Sequence, residues 1–158
     1  MQDGLQIGLL FVLQALSLLL YKWGLISTLI ALCTLIGVPV RLYQLGKRYR
    51  DEYLDGEASY LQVVSHLSLT YLFSLILGMV AFYFALTFLA RDMQFLSMLE
   101  ESFQEVESML REMGQKVDTL EVLKDLTPRT LTIQICSNAC ITGLLYIYFI
   151  ALFIRRKK

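Results

Sequence analysis

Few side chains in this sequence are equipped for chemistry, and most of them stand in apolar surroundings. His66 is the sole histidine and lies about one turn inside a long apolar run. An imidazole there can titrate near neutrality and relay a proton. The simpler reading is a hydrogen bond to a neighbouring helix. Gln14 and Asn138 fall near the middle of two other apolar runs. A polar group in hydrocarbon is costly unless partnered, so His66, Gln14 and Asn138 form the candidate intramembrane set, as glue between helices or as the lining of a polar cavity. Cys136 and Cys140 share a helix face, and Cys33 lies in a separate run. No His, Asp or Glu stands near enough to complete a ligand set, so the cysteines read as small hydrophobes and no metal is expected.

A second group is polar and faces water. Residues 46–60 interleave basic and acidic side chains with tyrosines, in the run Lys47-Arg48-Tyr49-Arg50-Asp51-Glu52-Tyr53-Leu54-Asp55-Gly56-Glu57. Arg48 and Arg50 can donate to a lipid phosphate or to a partner's carboxylate. With Tyr49, Asp51, Tyr53, Asp55 and Gly56 they make the candidate docking site. The simpler reading is a solvated turn at Asp55-Gly56, with tyrosines at headgroup level. No nucleophile stands beside a base, and no Asp or Glu lies inside an apolar run. An enzyme and an ion-coupled carrier are therefore not expected, nor is a cofactor or a nucleic-acid partner.

The elements that position these groups follow from composition. Of 158 residues 56% are apolar, and 14 basic residues balance 14 acidic ones. The apolar residues fall into four blocks, with charge between and after them. The blocks predict an all-α polytopic membrane protein with transmembrane helices at about 5–21, 25–45, 61–90 and 130–154. No positive charge precedes the first block and no small-residue cleavage site follows it, so it reads as a retained helix. Ser59 and Gln62 have capping-box spacing before the third block, while Thr127 and Pro128 suit the start of the fourth. Pro39 is expected to kink the second helix, and Arg41 lies near enough to its end to snorkel.

Charge sets the expected orientation. Arg41, Lys47, Arg48 and Arg50 lie between the second and third blocks, and the chain closes on a basic tail at 155–158, Arg155-Arg156-Lys157-Lys158. Residues 91–127 hold four basic and nine acidic residues. Both termini and the 46–60 loop are therefore placed in the cytoplasm, and 91–127 outside it.

That outer segment is amphipathic. Leu96, Leu99, Phe103, Val106, Leu110, Met113, Val117 and Leu120 alternate steps of three and four, which is heptad spacing and a candidate self-association stripe. A single upright helix to Leu120 would rise about 45 Å, and residues 121–127 cannot return that far. Two helices broken near Gly114, roughly 92–113 and 115–125, are expected instead. They fold on each other, lie on the surface, or pair with a second copy as a homo-oligomer.

The run from Tyr49 to Glu57, followed by Ser59-Tyr60 and a long apolar helix, resembles the membrane family catalogued as domain of unknown function 4199, found mainly in Bacteroidota. The likeness extends over nearly the whole chain. It implies residence in the bacterial inner membrane and suggests a helper of a polyprenyl-phosphate glycosyltransferase, but implies no activity of its own. The expected function is thus a non-enzymatic accessory or scaffold subunit, embedded in the lipid bilayer beside a membrane or cytoplasmic enzyme. The alternative is a lipid-carrier translocase or small transporter built on the polar groups between the helices.

Overall fold

The computed structural model describes residues 2–112 and 127–155, leaving aside the side chains of residues 2, 3, 110 and 111. Five α-helices appear among them: α1 (Gln2–Leu19), α2 (Gly24–Tyr53), α3 (Tyr60–Leu89), α4 (Met93–Glu112) and α5 (Pro128–Ile154). A 3-10 turn, Tyr21–Trp23, joins α1 to α2. Three helical stretches, Tyr21–Tyr53, Tyr60–Leu89 and Pro128–Ile154, are long and apolar enough to cross a membrane, and α1 supplies a shorter apolar helix over Gly4–Leu19.

Local chemistry explains the helix starts. The Ser59 hydroxyl accepts from the Gln62 N–H at 3.4 Å while Gln62 Oε1 accepts from the Ser59 N–H at 2.9 Å, so the expected capping box is present. Thr127 Oγ1 accepts from the Thr130 N–H at 3.2 Å, and Pro128 occupies the first turn of α5, where its missing N–H removes nothing. The α2 helix continues through Pro39.

The largest departure from expectation concerns 46–60. That segment is not a loop: α2 runs on to Tyr53, and only residues 54–59 turn. Arg48, Tyr49, Arg50, Asp51 and Tyr53 therefore project from a helix. The reason is local: Lys, Arg and Glu are good helix formers, and Arg48 pairs with Glu52 one turn on at 2.8 Å. The helix stops where Asp55 and Gly56 take positive φ, 49° and 83°, and the Gly56 N–H closes on the Arg50 carbonyl at 3.0 Å. The first helix also ends earlier than expected, at Leu19, because the tight 3-10 turn takes over. Of the outer segment, α4 is present. The proposed break at Gly114, the helix over 115–125, and the tail from residue 156 lie outside the described residues.

Around the bundle, α1 lies between α2 and α3, and α5 lies between α2 and α3 on the opposite side. The α1–α3 seam is the most extensive. Gly4 and Gly8, one turn apart, bring α1 close to α3: a Cβ at Gly8 would sit 2.8 Å from Leu77 Cδ2, and one at Gly78 would sit 2.8 Å from Phe11 Cβ. Small residues at four-residue spacing allow such backbone approach, which supplies dispersion contact where lipid leaves little hydrophobic drive. The Ser74 hydroxyl binds across this seam, 2.8 Å from the Gly4 carbonyl and 2.7 Å from that of Thr70. Between α1 and α2, the Ser27 hydroxyl donates to the Ser17 carbonyl at 2.8 Å. The core fills with Ile7, Phe11, Leu42, Leu67, Tyr71 and Ile147, while Leu25, Phe84, Phe88 and Phe153 face outward.

Candidate functional site

The end of the bundle that carries the α2–α3 turn and the last turn of α5 holds the candidate docking residues and His66. Arg50 reaches across to α5: its Nη1 donates to the Ile154 carbonyl at 3.1 Å, and its Nε donates to Asp51 Oδ1 at 2.7 Å. Only 12% of its side chain is exposed. A helix leaves its last carbonyls without intrahelical partners and carries partial negative charge there, so a guanidinium is a natural cap. Arg48 differs, since its pair with Glu52 is about half exposed on both sides. The two arginines of the docking motif therefore part ways: one fastens α5, the other stays on the surface paired with Glu52.

Tyr49 joins α2 to α3 through rings. It stacks on His66 with centroids 3.9 Å apart and planes within 4°, and also meets Tyr53 at 5.9 Å and 28°. A ring held face to face presents only its edge to hydrogen-bonding partners. His66 is half-buried and borders two adjoining depressions. One, of about 440 Å³, has apolar walls of Leu5, Leu69, Phe73 and Leu77 over a floor of Gly4 and Thr70. The other, of about 400 Å³, continues towards the end of the bundle past Tyr49, Gln62 and Ser65.

The structure does not bring the intramembrane polar residues together. Gln14 sits half-buried on α1, Asn138 faces outward on α5, and these helices lie across the bundle from each other. None of the described cavities has both Gln14 and Asn138 on its wall, and His66 borders its depressions without either. Arg41 binds Gln6 Oε1 through Nε at 3.1 Å and through Nη2, and Gln44 Oε1 through Nη1 at 2.6 Å. This ties α2 to the start of α1. Cys136 and Cys140 pack half-buried against the core, and Cys33 is exposed.

At the other end of the bundle stands a cluster that sequence reading missed. Lys22 Nζ lies 2.8 Å from Asp92 Oδ2, and the Tyr21 hydroxyl donates to the same oxygen at 2.9 Å. Phe95 meets the Tyr21 ring edge to face at 5.4 Å. Asp92 also accepts from the Gln94 N–H at 3.1 Å, so one carboxylate both caps α4 and clasps it to the 3-10 turn. The only sequence signal was an acidic residue at the head of an amphipathic helix, which does not name a partner.

Hydrogen bonds from Lys22 and then Tyr21 hold the Asp92 carboxyl below its ordinary value of 3.8, and the bond to Asp92 raises the Lys22 ammonium above 10.5. A depressed carboxyl stabilises the fold above its unfolded value, and that contribution is lost as pH falls through the folded value. A raised ammonium contributes below its unfolded value and ceases as pH rises through the folded one. The clasp is thus intact around neutrality. Trp23, the sole tryptophan, stands in the clasped turn. Its fluorescence is expected to hold steady between about pH 5 and 9 and to change below about pH 4. The acid change should vanish in Asp92→Asn; if that variant keeps it, another group is responsible.

Of the heptad stripe on α4, Leu96 and Val106 are exposed, and Leu99 and Phe103 half-buried. The Leu110 side chain, Met113, Val117 and Leu120 lie outside the described residues. Phe95, next to the stripe, is the buried residue that seats α4 against Tyr21.

Compared with known protein families, the chain matches the model described as "Protein of unknown function (DUF4199)" over residues 2–156. No curated protein and no solved structure matches it.

Proposed function

We propose that this chain, which belongs to the DUF4199 family, is a four-span protein of the bacterial inner membrane that serves as a non-enzymatic accessory or scaffold subunit. In this reading α1, α2, α3 and α5 cross the bilayer. Both termini and the α2–α3 turn face the cytoplasm, and α4 lies outside. The 18 residues of α1 span about 27 Å, slightly less than a typical hydrocarbon core, and the Tyr21–Trp23 turn adds aromatic anchors at its end. Basic residues gathered at the opposite end support the orientation.

The observation that carries the scaffold reading is how the polar side chains are used. Inside the bundle they fasten helix to helix, as Ser74, Ser27 and Tyr71 do, while the core is filled by apolar groups. The outward surface carries Arg48, Glu52 and Tyr53 at one end and α4 at the other, a pair of platforms suited to docking. A membrane or cytoplasmic enzyme is the partner class, and the family resemblance suggests a polyprenyl-phosphate glycosyltransferase.

The test is a mild-detergent pull-down from native membranes with mass spectrometry, comparing the wild type with Arg48→Ala/Tyr53→Ala. One stoichiometric enzyme is expected with the wild type, reduced about tenfold in the variant, as loss of roughly 1.4 kcal/mol of contact would give. Recovery of the wild-type protein alone, or only with itself, would sink the proposal.

A further inference from the structure

We propose that the groove between α3 and α5, at the end of the bundle away from the α2–α3 turn, binds a membrane phospholipid, with one hydrocarbon chain along the groove and the phosphodiester on Arg129. The inference rests on the four-span reading and goes beyond it by naming a site and a ligand class.

Two antiparallel helices build the groove. Gly143 of α5 stands against Tyr71 of α3, while nearer the other end Met79, Val80, Tyr83 and Phe84 share the groove with Arg129 and Ile133. Met79 lies ten residues, and Phe84 five, before Leu89, the last residue of α3. That wall therefore sits about 8–15 Å inside the helix end. Both helices are long and apolar enough to span a membrane, so the medium that meets the opening is hydrocarbon. Phe84 is 67% exposed and Ile133 48%, which leaves the apolar walls open to a chain. The volume of about 440 Å³ falls within the roughly 300–1,000 Å³ of small-molecule sites.

Arg129 decides which lipid fits. It is the second residue of α5 and exposed, at the end of the groove nearest the headgroups. Among the described residues it has no ion-pair or hydrogen-bond partner. A guanidinium stays charged, and at the edge of hydrocarbon that charge is costly until an anion meets it. The phosphodiester is the anion that a bilayer supplies at this depth, and a guanidinium takes it with two parallel N–H donors. The remaining polar lining does not replace that anion. Thr132 is buried and its hydroxyl donates to the Pro128 carbonyl at 2.7 Å, while Tyr83 adds a neutral phenol. An apolar groove closed by a single cation thus matches a lipid chain that ends in a phosphate.

Native mass spectrometry on the delipidated full-length protein in neutral detergent tests the site. Phosphatidylglycerol and a diacylglycerol with the same chains are the probes. The first phosphatidylglycerol should bind about tenfold tighter than the first diacylglycerol, and glycerol phosphate should not displace it. Arg129→Gln, at an exposed position, should remove that preference and leave diacylglycerol unchanged. Ile133→Trp, which fills the groove from its wall, should weaken the first binding of both lipids about tenfold. Equal binding of the two lipids by the wild type, or displacement by glycerol phosphate, would overturn the proposal. So would a preference kept by Arg129→Gln at unchanged melting temperature, or wild-type binding by Ile133→Trp. A wild-type dimer that takes up no lipid would overturn it too, by showing that a second copy covers the groove. Retention of the wild type in vesicles after alkaline extraction, measured alongside, separates failure of this site from failure of the membrane reading.

Discussion

Replacing Gly143 by alanine is expected to destabilise the bundle by about 3 kcal/mol, at the upper end of overpacking penalties. A Cβ at this position would lie 2.1 Å from Tyr71 Cζ and 2.3 Å from its hydroxyl oxygen, far inside contact distance. The tyrosine has nowhere to go. It is 3% exposed, its ring meets Phe11 edge to face at 5.7 Å, and its hydroxyl donates to the Ala139 carbonyl at 2.7 Å. Relief must come from α5 moving off α3, which opens the seam along several turns. The melting temperature in detergent should fall sharply in Gly143→Ala, and Tyr71→Leu in the same chain should recover part of the loss. Tyr71→Leu alone should be destabilising, so recovery in the double variant would be a coupling specific to this contact. A Gly143→Ala protein that melts with the wild type would show that α3 and α5 do not cross here.

The second large effect separates the two arginines of the surface motif. Arg50→Gln is expected to cost about 2 kcal/mol, whereas Arg48→Gln should change stability by less than about 0.5 kcal/mol. Arg50 is nearly enclosed and serves the C-terminus of α5, a charge-assisted bond across 104 residues of sequence. Arg48 pairs one turn along its own helix in water, where two flexible side chains gain little by meeting. Melting both variants in detergent checks the contrast. Equal and small losses would mean that Arg50 does not hold α5 in place. The result matters for any partner assay, because a protein lacking Arg50 would lose binding through disorder of the bundle end, without having lost a docking contact.

What was legible in the sequence was whatever is local. The capping box at Ser59 and Gln62 and the Thr127-Pro128 start depend on residues a few positions apart, and both appear where expected; three of the four apolar blocks form helices long and apolar enough to cross a membrane, and the first forms a shorter one. The end of α2 was misread because interleaved charges and tyrosines look like a loop, yet they have the composition of an exposed helix turn. Asp55-Gly56 was the true stop, and its spacing from Arg48 was available. The Gly4–Gly8 interval was equally available as a sign that α1 packs closely on something, though not on what. Distant pairings leave no such trace. Nothing in the sequence says that Arg50 meets Ile154, that Tyr21 meets Asp92 across 71 residues, or that His66 stacks on Tyr49 of another helix. Gln14, His66 and Asn138 share none of the described cavities, and depth in a helix says nothing about which neighbour a residue faces.

The α1–α3 seam also sets the order of events during synthesis. Translation releases α1 and α2 before α3, joined through the 3-10 turn Tyr21–Trp23, and under the proposed four-span arrangement they would enter the bilayer as a pair. Yet the closest fit for α1 is not that companion. The residue that hydrogen-bonds Gly4, Ser74, lies 70 positions downstream, and the face carrying Gly8 and Phe11 waits for Leu77 and Gly78. Until α3 arrives, that glycine face stands open to lipid and to the glycine faces of other nascent copies. The same small residues that lock the finished bundle are thus the point at which crowded synthesis can pair the wrong chains.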